Sequence, residues 1–151
     1  MFNAILVPID AGEPSESAME MAVQLASAVK GRLVFCSAID VAGITVDAAG
    51  AFIDPRPSLD AAHEAAEKVM QDAAKRAADA GVAAETDVLD GDPVASILDA
   101  AREHHADLIL MGSHGRGGLA RAMLGSVTEG VLRKSSVPVL VVRTQRVPAH
   151  S

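Results

Sequence analysis

Five short apolar runs alternate along the chain with stretches in which apolar residues recur at helical spacing, and this alternation strongly constrains the fold. Parallel strands joined by helices form a sheet that is covered on both faces, with right-handed crossovers. We therefore predict a single-domain α/β fold with a five-stranded parallel sheet and helices on both faces. The predicted strands are residues 4–9, 33–39, 82–89, 108–111 and 139–142, and the helices between them include 18–29 and 59–80.

Local signals mark where two of the later helices begin. Asp92-Pro93 supplies an N-cap followed by proline at the first helical position. Ser126 and Glu129 have the spacing of a capping box and predict a further helix. The segment 40–57 has no apolar period and is predicted to be a long loop.

Size, charge and cysteine content exclude several classes of protein. The 151 residues correspond to one domain, predicted to span residues 1–144 with a short C-terminal tail at 145–151. Thirteen basic and twenty acidic residues give a net charge of −7, which argues against binding a nucleic-acid backbone. Cys36 is the only cysteine, so no intrachain disulfide or cysteine-rich metal site can form. Its apolar neighbours predict a core residue.

Export and membrane insertion are not indicated by the sequence. The first residues lack the basic segment and the long apolar segment of a secretory signal. No apolar stretch approaches the roughly 20 residues that span a bilayer. We therefore expect a cytoplasmic protein with no membrane partner.

A glycine-rich segment after the fourth apolar run combines two ways of holding a phosphate group. It begins Met111-Gly112-Ser113-His114-Gly115 and ends Gly125-Ser126-Val127-Thr128. Its glycines allow positive φ and close approach of the backbone, so successive N–H groups can turn toward an anion. The helix that starts at Ser126 adds unpaired N–H groups and the positive end of its dipole. A nucleotide phosphate fits such an environment.

The spacing of these glycines differs from that of the commoner phosphate-binding loops. No lysine occurs between Lys75 and Lys134, so the Walker-type loop is absent, and the first strand-helix turn lacks the dinucleotide fingerprint. The pattern is instead G-x2-G-x9-G-[ST], formed by Gly112, Gly115, Gly125 and Ser126. It closely resembles the ATP-binding branch of the universal stress protein family. Segments 5–10, 91–93 and 137–142 are also similar to that family.

The resemblance implies a Rossmann-like, adenine nucleotide alpha hydrolase-like sheet with strand order 3-2-1-4-5. In that order strands 1 and 4 are neighbours whose connections leave to opposite faces, which opens a crevice at their carboxyl ends. By resemblance, Asp10 lies near the adenosine ribose, the backbone of Ala38 faces the adenine edge, and the glycine loop surrounds the phosphates. The ligand implied is ATP, with Mg2+ held mainly by its phosphates and no metal site on the protein. The expected nucleotide-binding residues are Pro8, Ile9, Asp10, Ala38, Gly112, Ser113, His114, Gly115, Arg116, Gly117, Gly118, Gly125, Ser126, Val127 and Thr128.

Several of these residues have a structural interpretation that stays open beside the functional one. Asp10 can cap the first helix or its preceding turn, and Ser126 is a capping-box serine in either case. His114 invites a catalytic role, although a solvated side chain near the phosphates is the preferred interpretation. Arg116 either supplies local positive charge or is an ordinary surface residue. We assign no catalytic residue, and the other histidines lack the spacing of a zinc site.

Three classes of function are compatible with these features. The leading one is a stress-response or regulatory protein that uses ATP occupancy as a signal, with AMP or cyclic AMP as alternative ligands. The second is a slow ATPase or self-phosphorylating protein, for which the chain offers no Walker acid and no convincing base. The third is a nucleotide-independent dimeric module, which the intact glycine motif disfavours. The apolar run 137–142 at the sheet edge predicts a homodimer through the fifth strand, as the resemblance also suggests.

Overall fold

The computed structural model describes residues 1–11, 15–40, 50, 54, 56–113 and 124–143. Its strands are β1 (Ala4–Pro8), β2 (Arg32–Ile39), β3 (Ala84–Asp90), β4 (Leu108–Gly112) and β5 (Val139–Val142). They form one sheet in the order β3-β2-β1-β4-β5, and every pairing is parallel. The predicted fold class and the strand order implied by the resemblance are both confirmed.

Helices cover both faces of this sheet. They are α1 (Glu16–Val29), α2 (Arg56–Asp79), α3 (Pro93–Glu103) and α4 (Ser126–Lys134). Successive side chains of a strand point to opposite faces, so neighbouring residues of β2 belong to different halves of the core. Phe35 packs in the cluster under α1 and α2, and Val34 packs in the cluster under α3 and α4. We refer to these as the α1/α2 face and the α3/α4 face.

On the α1/α2 face, mostly alanines and one methionine from each helix pack against the larger side chains of the strands. The buried residues of α1 are Ala18, Met19, Ala22 and Ala26, and those of α2 are Ala66, Met70, Ala73 and Ala77. Cys36 is fully buried in β2, which confirms the predicted core position. Burial, and secondarily the charge of Asp87 on β3, raises the pKa of the Cys36 thiol far above its usual range, because an apolar medium disfavours the thiolate.

Side chains fix where the helices begin. The Ser15 Oγ accepts a hydrogen bond from the Ala18 N–H at 3.1 Å and caps α1. The Asp92 Oδ2 accepts from the Ala95 N–H at 2.9 Å and caps α3, with Pro93 in its first turn. The predicted start of α3 is therefore confirmed, because the signal that encodes it is local in the sequence.

Two predicted segments without regular structure fall largely outside the part of the chain that the structure describes. The predicted tail at 145–151 lies outside the described residues, as does most of the predicted loop at 40–57. No helix within the described ranges is long and apolar enough to cross a membrane.

Candidate functional site

A cleft of about 810 Å³ opens at the carboxyl edge of the sheet. Pro8 ends β1 and Gly112 ends β4, and both residues line the cleft. These two strands are neighbours at the centre of the sheet. The helix that follows β1 covers one face, and the helix that follows β4 covers the other. The cleft is therefore the crevice that a doubly wound sheet forms where its strand order reverses.

The cleft brings together predicted binding residues from both halves of the chain. Those that line it are Pro8, Ile9, Asp10, Ala38, Gly112, Gly125, Ser126, Val127 and Thr128. Ser113 is buried, and its backbone N–H donates to the Val142 carbonyl at 2.9 Å while its carbonyl accepts from the Gly125 N–H at 2.8 Å. The predicted residues His114, Gly115, Arg116, Gly117 and Gly118 lie outside the described residues.

Gly125 leads into α4 with a geometry that corrects two expectations. It is the N-cap of the helix, with φ −60°, ψ 151° and no side-chain cap bond. Its carbonyl accepts the first helical hydrogen bond, from the Glu129 N–H at 2.9 Å. The capping box predicted at Ser126 is wrong by one residue, because Ser126 is already helical. The positive φ expected at Gly125 is also wrong, since this backbone conformation is open to any residue.

Thr128 fixes the first turn of α4 to the end of β4. Its Oγ1 donates to the Gly112 carbonyl at 2.9 Å, and the residue is only 3% exposed. The first N–H groups of an α-helix have no partner within the helix. The turn that carries them, from Ser126 to Thr128, lines the cleft. The N-terminus of α4 therefore faces the cleft, with N–H donors that have no partner within the helix and with the positive end of the helix dipole.

The charged residues among the described lining are two carboxylates, Asp10 and Asp40. Asp10 follows β1 but does not cap α1, because Ser15 is the cap. The interpretation of Asp10 as the cap of the first helix is therefore wrong. A carboxylate in this position accepts hydrogen bonds from hydroxyl groups and repels phosphate oxygens. The two kinds of group are separated in the cleft, with carboxylates after β1 and β2 and helix N–H donors at α4.

One wall of the cleft comes from α2 and was not identified from the sequence. Ala61, Ala62 and Ala65 line it, together with Ser58 from the first turn. In the predicted helix 59–80, Ala62 has the same apolar spacing as Ala66 and Ala73, which face the core. In an alanine-rich helix, the residues that face a cleft look the same as those that face a sheet. The wall is small, flat and uncharged, so it suits an apolar ring better than a charged group.

Known proteins with the same fold resemble the chain over nearly its whole length. The model of the Universal stress protein family matches residues 1–143. Universal stress protein YxiE of Bacillus subtilis is 36% identical over 148 residues, which cover 95% of this chain and 100% of that protein. The solved structure of MJ0577 from Methanocaldococcus jannaschii has a TM-score of 0.78 and 32% identity, covering 97% of this chain and 99% of that one. A universal stress protein solved in complex with cAMP has a TM-score of 0.68 and 26% identity, covering 95% and 98% of the respective chains.

Proposed function

Because the chain belongs to the universal stress protein family, we propose that it binds ATP in this cleft and acts as a stress-response or regulatory protein. Nucleotide occupancy is the signal, and the cytoplasm, where ATP is abundant, is the proposed location. One observation carries the proposal: Asp10, Ala38 and the first turn of α4 line the same cleft. These groups match the three parts of a nucleotide, which are the ribose, the base and the phosphates.

Each part of the ligand has a physically suitable partner. The ribose hydroxyls donate to the Asp10 carboxylate, and the base edge faces the backbone of Ala38. The phosphates lie against the N–H groups of α4, where the helix dipole favours negative charge. Gly112 and Gly125 have no side chains to occupy that space. The proposed contacts of the glycine loop, from His114 to Gly118, belong to the same end of the ligand.

Mg2+ is part of the proposed ligand. Within the described ranges, no group of three or more His, Cys, Asp or Glu side chains is placed to hold a metal ion. We propose that the phosphates of ATP supply most of the ligands of the Mg2+ ion. The ion would also offset the repulsion between the triphosphate and the carboxylates of Asp10 and Asp40.

Titration calorimetry with ATP, ADP, AMP and cyclic AMP tests this proposal. ATP with Mg2+ should bind most tightly if the phosphate end contributes as proposed. Cyclic AMP is the second candidate, because a relative was solved with it. The absence of binding by all four nucleotides, in protein freed of co-purified ligand, would refute the nucleotide function.

Gly125→Val tests the phosphate end of the site. The observed φ of −60° accommodates valine, so the variant should fold, while its side chain occupies the space beside α4. Steric overlap of about 1–3 kcal/mol corresponds to a loss of ATP affinity of about 5- to 150-fold. Ser136→Val is the matched control, because it adds the same side chain at an exposed position beyond the other end of α4. Unchanged ATP affinity in a folded Gly125→Val protein would contradict the assignment.

We propose that ATP hydrolysis, and likewise self-phosphorylation, is slow at most. Groups that hold the ground state as well as the transition state strengthen binding without accelerating chemistry. Turnover should stay well below about one per second, near the lower end of ordinary enzyme rates. Faster turnover that persists through purification and disappears in Gly125→Val would contradict this. Loss of that turnover in His114→Ala with binding retained would give His114 a catalytic role.

We also propose a homodimer through β5. This strand lies at the edge of the sheet, and Leu140 is 39% exposed on it. An apolar edge strand pairs readily with a second copy, and a twofold axis presents the same edge on both sides. Leu140→Lys should shift the protein toward monomer in sedimentation, with Leu140→Ile as the control. A concentration-independent monomer for the unmodified chain would exclude the dimer.

A further inference from the structure

The Ser37 side chain is a buried hydroxyl that has no hydrogen-bond partner among the residues that the structure describes. It is 2% exposed, near the end of β2, and it lines the cleft. Within the described residues its hydroxyl makes no hydrogen bond. The buried hydroxyl of Thr128, by contrast, donates to the Gly112 carbonyl at 2.9 Å. Buried polar groups are nearly always paired, and an unpaired one in a cleft indicates a missing partner.

The position of Ser37 indicates which part of a ligand it meets. Its place in the alternation of β2 is that of Leu33 and Phe35, so it belongs to the α1/α2 face. The cleft on that face is lined by alanines, which are Ala18 of α1 and Ala61, Ala62 and Ala65 of α2. These side chains carry neither charge nor hydrogen-bonding atoms. Of the serines that line this side of the cleft, Ser37 is the buried one, because the Ser15 hydroxyl caps α1 and Ser58 is exposed in the first turn of α2. The Ser37 hydroxyl is therefore the buried polar group beside these alanines.

A nucleotide base is the ligand part that suits this alanine-lined part of the cleft, the alanine slot. Its ring faces are apolar and its edge carries hydrogen-bonding atoms, whereas phosphate needs several donors or positive charge. The N-terminal N–H donors of α4, which have no partner within the helix, lie on the α3/α4 face, where Val127 packs. The ribose is assigned to the Asp10 carboxylate. Ser37 also precedes Ala38, whose backbone is the proposed partner of the base edge.

We propose that the Ser37 hydroxyl hydrogen-bonds the edge of the nucleotide base and that the alanine slot receives the ring. The inference rests on the proposed function and adds to it a residue that determines how the base is held. Its physical consequence is a pair of effects with opposite sign. Removal of the hydroxyl relieves an unpaired buried group in the free protein, and it removes a hydrogen bond from the complex.

Ser37→Ala tests the inference with adenosine, AMP, ATP with Mg2+ and inorganic tripolyphosphate. The three base-containing ligands should each bind about 3- to 10-fold more weakly, the loss typical of one neutral hydrogen bond. Tripolyphosphate should be unaffected. The melting temperature of the ligand-free variant should not fall below that of the unmodified protein. Ser136→Ala is the matched control, since it removes an exposed hydroxyl that does not line the cleft, and its affinities should stay within about twofold.

The possible results distinguish a failure of the Ser37 inference from a failure of the proposed nucleotide binding. Unchanged affinities in Ser37→Ala, with ATP still bound, would overturn the role of Ser37 and leave the nucleotide function intact. A loss that grows with the number of phosphates would also overturn it, because the hydroxyl would then act at the other end of the ligand. Failure of the unmodified protein to bind any of the nucleotides would overturn the proposed function and this inference together.

Discussion

Gly130 of α4 packs against Val94 of α3, and replacing it with alanine tests how tightly the two helices pack. A Cβ at this position would lie 2.7 Å from Val94 Cγ2, 3.4 Å from Cγ1 and 3.6 Å from Cβ. All three atoms belong to one β-branched side chain, whose χ1 angle is nearly fixed in a helix. Rotation of Val94 cannot relieve the contact, so α4 must move away from α3.

Two opposing energies decide the outcome of Gly130→Ala. Alanine is about 1 kcal/mol more favourable than glycine in a helix interior. Overpacking against a stiff neighbour costs about 1–3 kcal/mol. We therefore expect a net loss of about 1 kcal/mol in the free energy of unfolding. In a Val94→Ala background the obstruction is gone, and Gly130→Ala should instead stabilise the protein by about 1 kcal/mol.

Urea denaturation of the unmodified protein, both single variants and the double variant measures this coupling. The expected interaction energy is about 2 kcal/mol, well above the roughly 0.5 kcal/mol scatter of independent sites. Nucleotide-free protein is used throughout, because ligand binding adds its own stabilisation. A Gly130→Ala variant that is equally stabilising in both backgrounds would refute the reasoning.

Three further predictions concern groups away from the α3/α4 contact. Asp92→Ala should lower the free energy of unfolding by about 1 kcal/mol in urea denaturation, because it removes the N-cap bond of α3; Asp92→Asn should restore most of it. The Leu59 carbonyl at 2.8 Å from Nδ1 and the Asp90 carboxylate at 3.0 Å from Nε2 raise the pKa of His63. The stabilisation it provides is complete below its unfolded-state pKa of about 6.5 and is lost as pH rises through the folded-state value, so His63→Gln should reduce stability at about pH 5.5 and little at about pH 9. Cys36 should not react with a thiol reagent in the native protein, and rapid native-state labelling would contradict its burial.

The sequence predicted those parts of the fold that depend on local chemistry. Asp92 and Pro93 mark the start of α3 through a side-chain cap and a fixed φ, neither of which needs distant residues. The order of the strands could not be predicted in this way, because the apolar runs of β1 and β4 are alike in character and do not indicate which strands lie beside them. That order came from the family resemblance, and with it the expectation that Asp10 and Gly112 lie at one cleft.

The parts that were wrong or missed depend on tertiary context. Ser126 has capping-box spacing, but the hydrogen bond from the Gly125 N–H to the Ser113 carbonyl holds the chain where Gly125 is the N-cap. The helix therefore starts one residue earlier than a cap at Ser126 would place it. Ala62 fits a core-facing stripe, and only the placement of α2 over β2 turns it toward the cleft. Ser37 follows an apolar run and gives no signal by itself. Its significance comes from being buried without a partner, which is a property of the fold.

In the proposed complex, the two faces of the sheet divide the ligand between them. The α1/α2 face contributes the alanine slot and Ser37, which meet the base. The α3/α4 face contributes the first turn of α4, which meets the phosphates, and its position depends on the contact of Gly130 with α3. A change on each face should therefore alter a different part of the affinity. Displacing α4 through Gly130→Ala should weaken ATP more than adenosine, whereas Ser37→Ala should weaken both by the same factor. Equal ligand dependence in the two variants would mean that the cleft is not divided in this way.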